Sequence, residues 1–286
     1  MDYREYNEEK YKTDYWTINR SKYKWFSNYV KLKIFLKWAH EVKNKEVFLD
    51  AGGGVGNWAF HFLKEYKKVI VLDISESALK KIPEKEIIKK QGSVTNIPIK
   101  DNSIDCILLA DVFEHIVKED LEKMLLELKR ILKKDGAIII FTSQYGYGIK
   151  LTFSRLFGKM KGRVMNSEIK DGHVNRLKFK EIKDLTEKTG LKIENYYHYS
   201  IVFQQLTDFI KDMIAKNIDK INKNKATREG QIIKDKLKRI EKPGFLFLMI
   251  FKTISFISYL DIILFGKIIP GETIFLKLKK QCAINT

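Results

Sequence analysis

The chain is short of cysteine and of acidic charge, and its potential metal ligands are scattered. Cys106 and Cys282 are the two cysteines among 286 residues. They are too few for a disulfide framework and wrongly spaced for a metal site, so a reducing compartment is expected. Cys106 lies in an apolar stretch and reads as a small core residue. No apolar signal-peptide core follows Met1-Asp-Tyr-Arg-Glu, so a place in the cytosol or on a cytosolic membrane face is expected. The five histidines show no ligand spacing with the carboxylates, and no metal is expected.

What the chain has is an apolar fraction of 44%, enough to bury a sizeable core and to exclude disorder. Its length suits one enlarged domain, or a domain with a cap. The formal charge is +18, and it is uneven: residues 144–243 hold 23 Lys/Arg against 12 Asp/Glu, a local +11. Such a surface attracts RNA, anionic lipid headgroups or phosphorylated substrates, although lysine-rich solvated helices look the same.

The organising stretch is Glu46-Val-Phe-Leu-Asp50-Ala-Gly52-Gly53-Gly54-Val-Gly56-Asn-Trp58. Val47 to Leu49 form a continuous apolar run, the pattern of a strand buried on both faces. The glycines allow a sharp turn and a close ligand approach to the main chain. A helix over 56–66 would aim its free amides at that ligand. Gly54-Val-Gly56-Asn-Trp-Ala59 matches a dinucleotide spacing, but a pyrophosphate would be repelled by Asp50. A carboxylate there suits an ammonium group instead. Asp73, closing the next apolar run (Val69-Ile-Val-Leu-Asp73), can accept both hydroxyls of a ribose. Amine acceptor, bare turn and ribose acceptor together describe S-adenosylmethionine better than a nicotinamide dinucleotide.

On Asp50-Ala-Gly-Gly-Gly-Val-Gly56, Asp73, Gly92-Ser-Val-Thr-Asn-Ile-Pro98, Asp105 to Ile116 and Leu132-Lys-Lys-Asp-Gly136, the chain resembles the class I S-adenosylmethionine-dependent methyltransferases, and within them the type 11 small-molecule group. The resemblance spans about 45–200, with a last strand near 271–278. It implies an α/β, Rossmann-like fold: a seven-stranded, mostly parallel sheet with helices on both faces. A helical, apolar cap would be inserted before the last strand. The corresponding organisation is an N-terminal cover over 1–45, a cofactor-binding domain over 46–199 and 271–280, and an insertion over 200–270.

The resemblance also implies site residues. Cofactor binding falls to Asp50, Ala51, Gly52, Gly54 and Gly56, to Asp73 and Ile74, to Ser93 and Val94 beside the adenine, and to Ala110, Asp111 and His115. Ser93 stands where an acid is commonest in the family. The N-terminal helix, read over 29–40, would fold over the cofactor, with Tyr15 or Arg20 in reach of it. S-adenosyl-L-homocysteine would be the product, and no metal would take part.

Other elements follow from pattern alone. A helix capped by Ser75 stops before Pro83; Ile87-Ile88 is a short strand; 103–111 is a fourth strand; Leu121 to Leu132 is an amphipathic helix. A Lys-Lys-Asp-Gly turn then precedes a strand over 137–142. A helix ends at Lys188 with Thr189-Gly190, and strand six covers 191–199. Tyr145 to Arg163 interleaves aromatics with bases and should shape the acceptor pocket. Amphipathic helices are expected over 206–221 and, more basic, over 232–240.

Residues 245–265 are nearly all apolar and long enough to span a bilayer. Lys252 and Asp261 argue against it, each costing roughly 2.5–3.5 kcal/mol at a bilayer centre. A single crossing would also strand the last sheet strand on the far side. On a helical wheel Lys252, Ser255, Ser258, Tyr259 and Asp261 share one half, and Phe256, Ile257 and Leu260 the other. An interfacial helix or a cap on a greasy pocket is expected.

For chemistry, a base is needed only where the acceptor is a hydroxyl or an acidic carbon. His173 is the first candidate because neutral imidazole suits proton abstraction near pH 7; Asp111, His115 and Glu114 are the others. A small-molecule or lipid-like acceptor is expected, with an anionic membrane surface as a possible partner. RNA or protein methylation is the alternative, using the basic 145–242 surface. The absence of Asn/Asp-Pro-Pro-Tyr after strand four, where Ala110-Asp-Val-Phe stands, disfavours nucleobase methylation. A non-catalytic cofactor-binding scaffold is a third reading.

Overall fold

The computed structural model describes residues 26–144, 173–199, 245–269, 271 and 273–281. The calls on Tyr15, Arg20, 145–163, 206–221, 232–240 and Cys282 lie outside them. Seven strands form one sheet in the order β3-β2-β1-β4-β5-β7-β6. They are β1 Val47–Ala51, β2 Lys68–Asp73, β3 Ile87–Gln91, β4 Ile104–Ala110, β5 Leu132–Ser143, β6 Leu191–Tyr199 and β7 Thr273–Lys280. β1 to β5 run parallel. β7 lies antiparallel between β5 and β6, so the last described strand pairs within the sheet as expected, with β6 at the edge. Among the described residues the helices are α1 Phe26–His40, α2 Glu76–Lys80, α3 Leu121–Ile131, α4 Phe179–Lys188 and α5 Phe245–Phe265.

Alternation along the central strands feeds two apolar layers. Leu49, Leu72, Leu109, Ile140 and Leu276 face α3 and α4, joined by Leu125, Leu128 and Ile182. Phe48, Val71, Leu108, Ile139 and Phe275 face the other way, onto α1 and α5 through Phe35, Trp38 and Ile262. Trp38 stacks on Tyr197 at 5.6 Å, and Phe35 meets Trp58, Phe141 and Phe275 edge-on. α1 thus fixes the N-terminal part of the chain to the sheet by aromatic burial. Cys106 is a buried free thiol in β4, as read from sequence.

Three local expectations are corrected. Residues 56–66 hold no α-helix: turns lead into a short 3-10 segment, Ala59–Phe62. Gly52, Gly54 and Gly56 all take positive φ, so helical backbone cannot begin before residue 57, and the bonds beyond it are mostly of the i to i−3 kind, such as the His61 amide to the Trp58 carbonyl at 3.0 Å. Lys133 to Gly136 is no free turn but part of β5. Pairing with β4 jumps from Ile104↔Leu132 to Cys106↔Ala137, so the intervening residues bulge out of the ladder. Lys133 there reaches the buried Asp105 at 2.9 Å, which also accepts the Val47 amide at 2.8 Å. β3 is longer than Ile87-Ile88, running to Gln91 along the exposed sheet edge.

In α5 it is the polar half of the wheel that turns inward. Ser258 and Asp261 are buried with Ile262, while Phe256, Leu260, Leu264 and Phe265 are exposed. Among the described residues no helix is long and apolar enough to cross a membrane.

Strand order reverses between β1 and β4: from β1 the chain steps outward to β2 and β3, then returns to the other side of β1 as β4. In open α/β sheets the crevice beyond the carboxyl ends of such a pair is where ligands bind. The functional residues are therefore sought at Asp50–Ala51 and at Ala110–Asp111.

Candidate active site

The main chain shapes the first side of this crevice. Gly52 and Gly53 both donate their amides to the Leu72 carbonyl, at 2.7 and 3.1 Å, pulling the turn onto the end of β2. Gly52 has φ +72, and a Cβ there would lie 2.5 Å from the Val112 side chain, so only glycine fits. The Gly54 amide donates to Asp73 Oδ2 at 2.8 Å, and the Ser75 amide to Asp73 Oδ1 at 2.9 Å. Ser75 in turn caps α2, its hydroxyl accepting the Ala78 amide at 3.1 Å. Asp73 is thus held by at least two backbone donors.

Asp50 is different. It is buried, and its Oδ2 has no hydrogen-bond partner among the described residues. Burial pushes its carboxyl up to about 7, against the Ala59 backbone hydrogen bond and with help from the Asp73 charge. A Cβ on Gly53 would stand 2.7–2.8 Å from this carboxylate, so the glycine leaves the group uncovered. A buried acceptor with an unused oxygen calls for a donor that arrives with a ligand. That is the fit expected for an ammonium group.

The second side begins where β4 ends. Ala110 is half-buried, and Asp111 takes a left-handed backbone (φ +55), its amide donating to the Phe141 carbonyl at 2.9 Å. Aspartate tolerates that conformation. It aims a half-exposed carboxylate at Lys31 of α1, 3.2 Å away. The Lys31 ammonium sits 3.9 Å above the Phe141 ring. Sequence reasoning missed Lys31, and nothing in the pattern of α1 singles it out.

Beyond Asp111 a 3-10 turn, Phe113–His115, brings Glu114 and His115 to the same edge. Glu114 is buried and accepts the Thr142 hydroxyl at 2.9 Å. Burial, with the Asp111 charge, raises its carboxyl to about 7. The segment before α4 docks on this turn. The Val174 and Asn175 amides donate to the Glu114 carbonyl at 3.0 and 3.2 Å, and the Asn175 side-chain amide donates to the Phe113 and Ile116 carbonyls. His173 is thereby delivered against His115, ring centroids 5.0 Å apart and nearly perpendicular. One donor atom from each of Glu114, His115 and His173 lies within 4.8 Å of the others. This corrects the reading that no metal-ligand cluster exists: sequence spacing could not show it, because His173 follows β5 while Glu114 and His115 follow β4. Thr142 and Asn175, which assemble the cluster, were also missed.

The remaining sequence candidates are close to the crevice but less committed. Ser93 shares a hydrogen bond with Thr95 Oγ1 at 2.8 Å and accepts the Thr95 amide at 3.2 Å, so its hydroxyl closes its own turn. Val94 is buried. The Ile74 carbonyl accepts from the Gln91 side chain at 3.2 Å. At the far end of β5, Gln144 donates to the Gly271 carbonyl at 2.8 Å and bonds His198 Nδ1. Burial drives the His198 imidazole down to about 4, leaving it neutral.

Comparison with known proteins agrees with this geometry. Residues 49–140 match the family model described as "Methyltransferase domain". An uncharacterised protein of Methanocaldococcus jannaschii is 35% identical over 127 residues, 40% of this chain and 54% of that protein. A probable S-adenosylmethionine-dependent methyltransferase of Mycolicibacterium smegmatis is 25% identical over 166 residues, 57% of this chain and 58% of that one. The chain thus aligns with little more than half the length of either relative. Among solved structures, the phosphoethanolamine N-methyltransferase 2 of Haemonchus contortus, in complex with S-adenosyl-L-methionine, superposes with a TM-score of 0.61. It does so at 14% identity, over 99% of this chain and 60% of that one, which is a likeness of fold. The region between β1 and β5 thus matches a methyltransferase domain.

Proposed function

We propose that the protein transfers a methyl group from S-adenosylmethionine to a small or amphiphilic acceptor. The observation that carries the reading is the buried Oδ2 of Asp50, without a hydrogen-bond partner among the described residues, beside a turn that only glycine can make. In this reading Asp50 holds the ammonium of the methionine moiety, together with the Ala51 to Gly56 main chain. Asp73 accepts the ribose hydroxyls, and Ile74, Ser93 and Val94 border the adenine. Ala110, Asp111 and His115 stand beside the reacting end.

When bound, the cofactor supplies a methyl carbon made electrophilic by its sulfonium sulfur. The chain's part is alignment: holding acceptor and methyl in line converts a bimolecular displacement into an intramolecular one, worth up to ~7–11 kcal/mol in favourable systems. Where the acceptor is a hydroxyl or an acidic carbon, His173 takes its proton, with His115 or Asp111 as alternatives.

The outward face of α5 supports an amphiphilic acceptor. Phe256, Leu260, Leu264, Phe265 and the following Ile268 are exposed on it. Soluble proteins rarely leave such a run uncovered without a use for it. We read 200–270 as the element that receives the acceptor, at an anionic membrane surface or over a greasy pocket.

The test is calorimetry of the full chain with S-adenosylmethionine and S-adenosylhomocysteine, followed by transfer of labelled methyl into cell-extract fractions separated by organic solubility. Binding of both ligands and label in the organic fraction are expected. Binding without transfer into any fraction favours the scaffold reading. Label confined to RNA or protein would overturn the amphiphilic acceptor.

A further inference from the structure

We propose that Glu114, His115 and His173 bind a divalent transition-metal ion beside the β4 end of the crevice, leaving coordination positions open to an oxygen of the acceptor. The ion's binding stands on the geometry of these side chains alone; its use by an acceptor rests on the methyl-transfer reading.

Two imidazoles and one carboxylate are the donor set that favours a borderline divalent ion such as cobalt, zinc, manganese or ferrous iron over magnesium or calcium. One donor from each residue already lies within 4.8 Å of the other two. Three donors sharing one ion, with bonds of about 2.1 Å, lie about 3.0–3.4 Å apart in a site with open positions. A pair at the 4.8 Å limit must therefore close by up to about 1.5 Å, within the reach of side-chain rotation.

The surroundings are those of a supported ligand set. Glu114 receives the Thr142 hydroxyl on Oε2, a bond that orients the carboxylate, as outer partners of metal ligands commonly do. The backbone on both sides is pinned: Asn175 clamps Phe113 and Ile116, and the Val174 and Asn175 amides hold the Glu114 carbonyl. His115 and His173 are each half-buried, so the open side of the set faces away from the core. The charges facing the cluster are Asp111, which favours a cation, and Lys31, which is already paired with Asp111. Asp111 is therefore not counted as a ligand. Three protein ligands leave one to three positions free, the arrangement of a site that works on a bound molecule. An ion here would lower the pKa of a bound acceptor hydroxyl so that its proton passes to solvent water, and so replace direct proton abstraction by His173.

The test uses the full chain stripped with EDTA and titrated with Co2+, followed by visible absorption. One saturable equivalent is expected. His173→Ala and Glu114→Gln should each weaken Co2+ binding at least tenfold, with far-ultraviolet dichroism unchanged. Should either variant fail to fold, His115→Gln and Thr142→Val supply the same readout. Acetohydroxamate, a bidentate oxygen ligand, should shift the cobalt bands if positions are open. No saturable signal, or equal affinity in wild type and variants, would overturn the site. Bands that ignore acetohydroxamate would overturn the open positions. Calorimetry with S-adenosylmethionine on the same samples separates the two readings. Metal binding without cofactor binding leaves the ion site standing and removes its methyl-transfer use.

Discussion

Two polar clusters share the carboxyl edge of the sheet, and they are assembled by different means. In the Asp50–Asp73 cluster the main chain does the work. Gly54 and Ser75 satisfy Asp73 through backbone amides, while Gly53 leaves Asp50 bare. In the Glu114–His115–His173 cluster the side chains do it, with Thr142 and Asn175 bringing three separate segments together. The contrast teaches where each kind of site is vulnerable. A site made of backbone fails when a Cβ is added; a site made of side chains fails one functional group at a time.

The most severe break should be Gly52→Val. The added side chain meets Val112 where a bare Cβ already stands at 2.5 Å, and φ is +72. We expect a loss of more than about 3 kcal/mol in urea unfolding, from steric overlap and backbone strain combined. Asp50→Asn keeps the shape and removes the charge. S-adenosylmethionine affinity should fall about a hundredfold, ~2.7 kcal/mol, by calorimetry. The unliganded fold should not weaken, because a partly unsatisfied buried carboxylate has been removed.

A smaller effect comes from pH. With its carboxyl raised to about 7, Asp50 is neutral below that value and ionised above it. A cationic ligand binds the ionised form, so wild-type affinity should drop about tenfold from pH 8 to pH 6, since a unit of pH below the pKa is a factor of ten. Asp50→Asn should remove the Asp50 part of that slope. Without ligand the sign reverses for stability. The unfolded carboxyl titrates near 3.8 and so binds fewer protons than the folded one, and this group's contribution to stability falls as pH rises from about 4 to 7.

On the other cluster, Thr142→Val deletes the hydroxyl on Glu114. It should cost ~1–2 kcal/mol of stability and change cofactor affinity by less than about twofold, two clusters on one edge being nearly independent when they share no partner. The smallest effect is expected at Leu264→Glu on the outward face of α5, within about 0.5 kcal/mol in thermal unfolding. A larger loss would mean that this face is covered.

Much of the Asp50–Asp73 side of the crevice was legible because its signals are local. A continuous apolar strand, a closing carboxylate and a run of glycines fall within a dozen residues, and Ser75 caps its helix as its residue type predicts. The expected helix over 56–66 is replaced by turns and a 3-10 segment: positive φ at Gly52, Gly54 and Gly56 keeps a helix from starting before residue 57, and no pattern in the residues beyond accounts for the rest. The Lys133–Gly136 stretch was misplaced because its bulge depends on Asp105 in a neighbouring strand. The inward turn of Ser258 and Asp261 could not be read either: a helical wheel gives the angle between faces, not which face meets the sheet.

By itself, the sequence determined the strands and the polar groups at their ends, because burial on both faces and glycine turns are written in contiguous residues. Tertiary structure alone decided which distant groups became neighbours. His173 meets Glu114 only because Asn175 docks on the turn after β4, and Lys31 meets Asp111 only because α1 packs aromatic rings against the sheet. Periodicity along a chain carries the orientation of a residue but not the identity of what it will face.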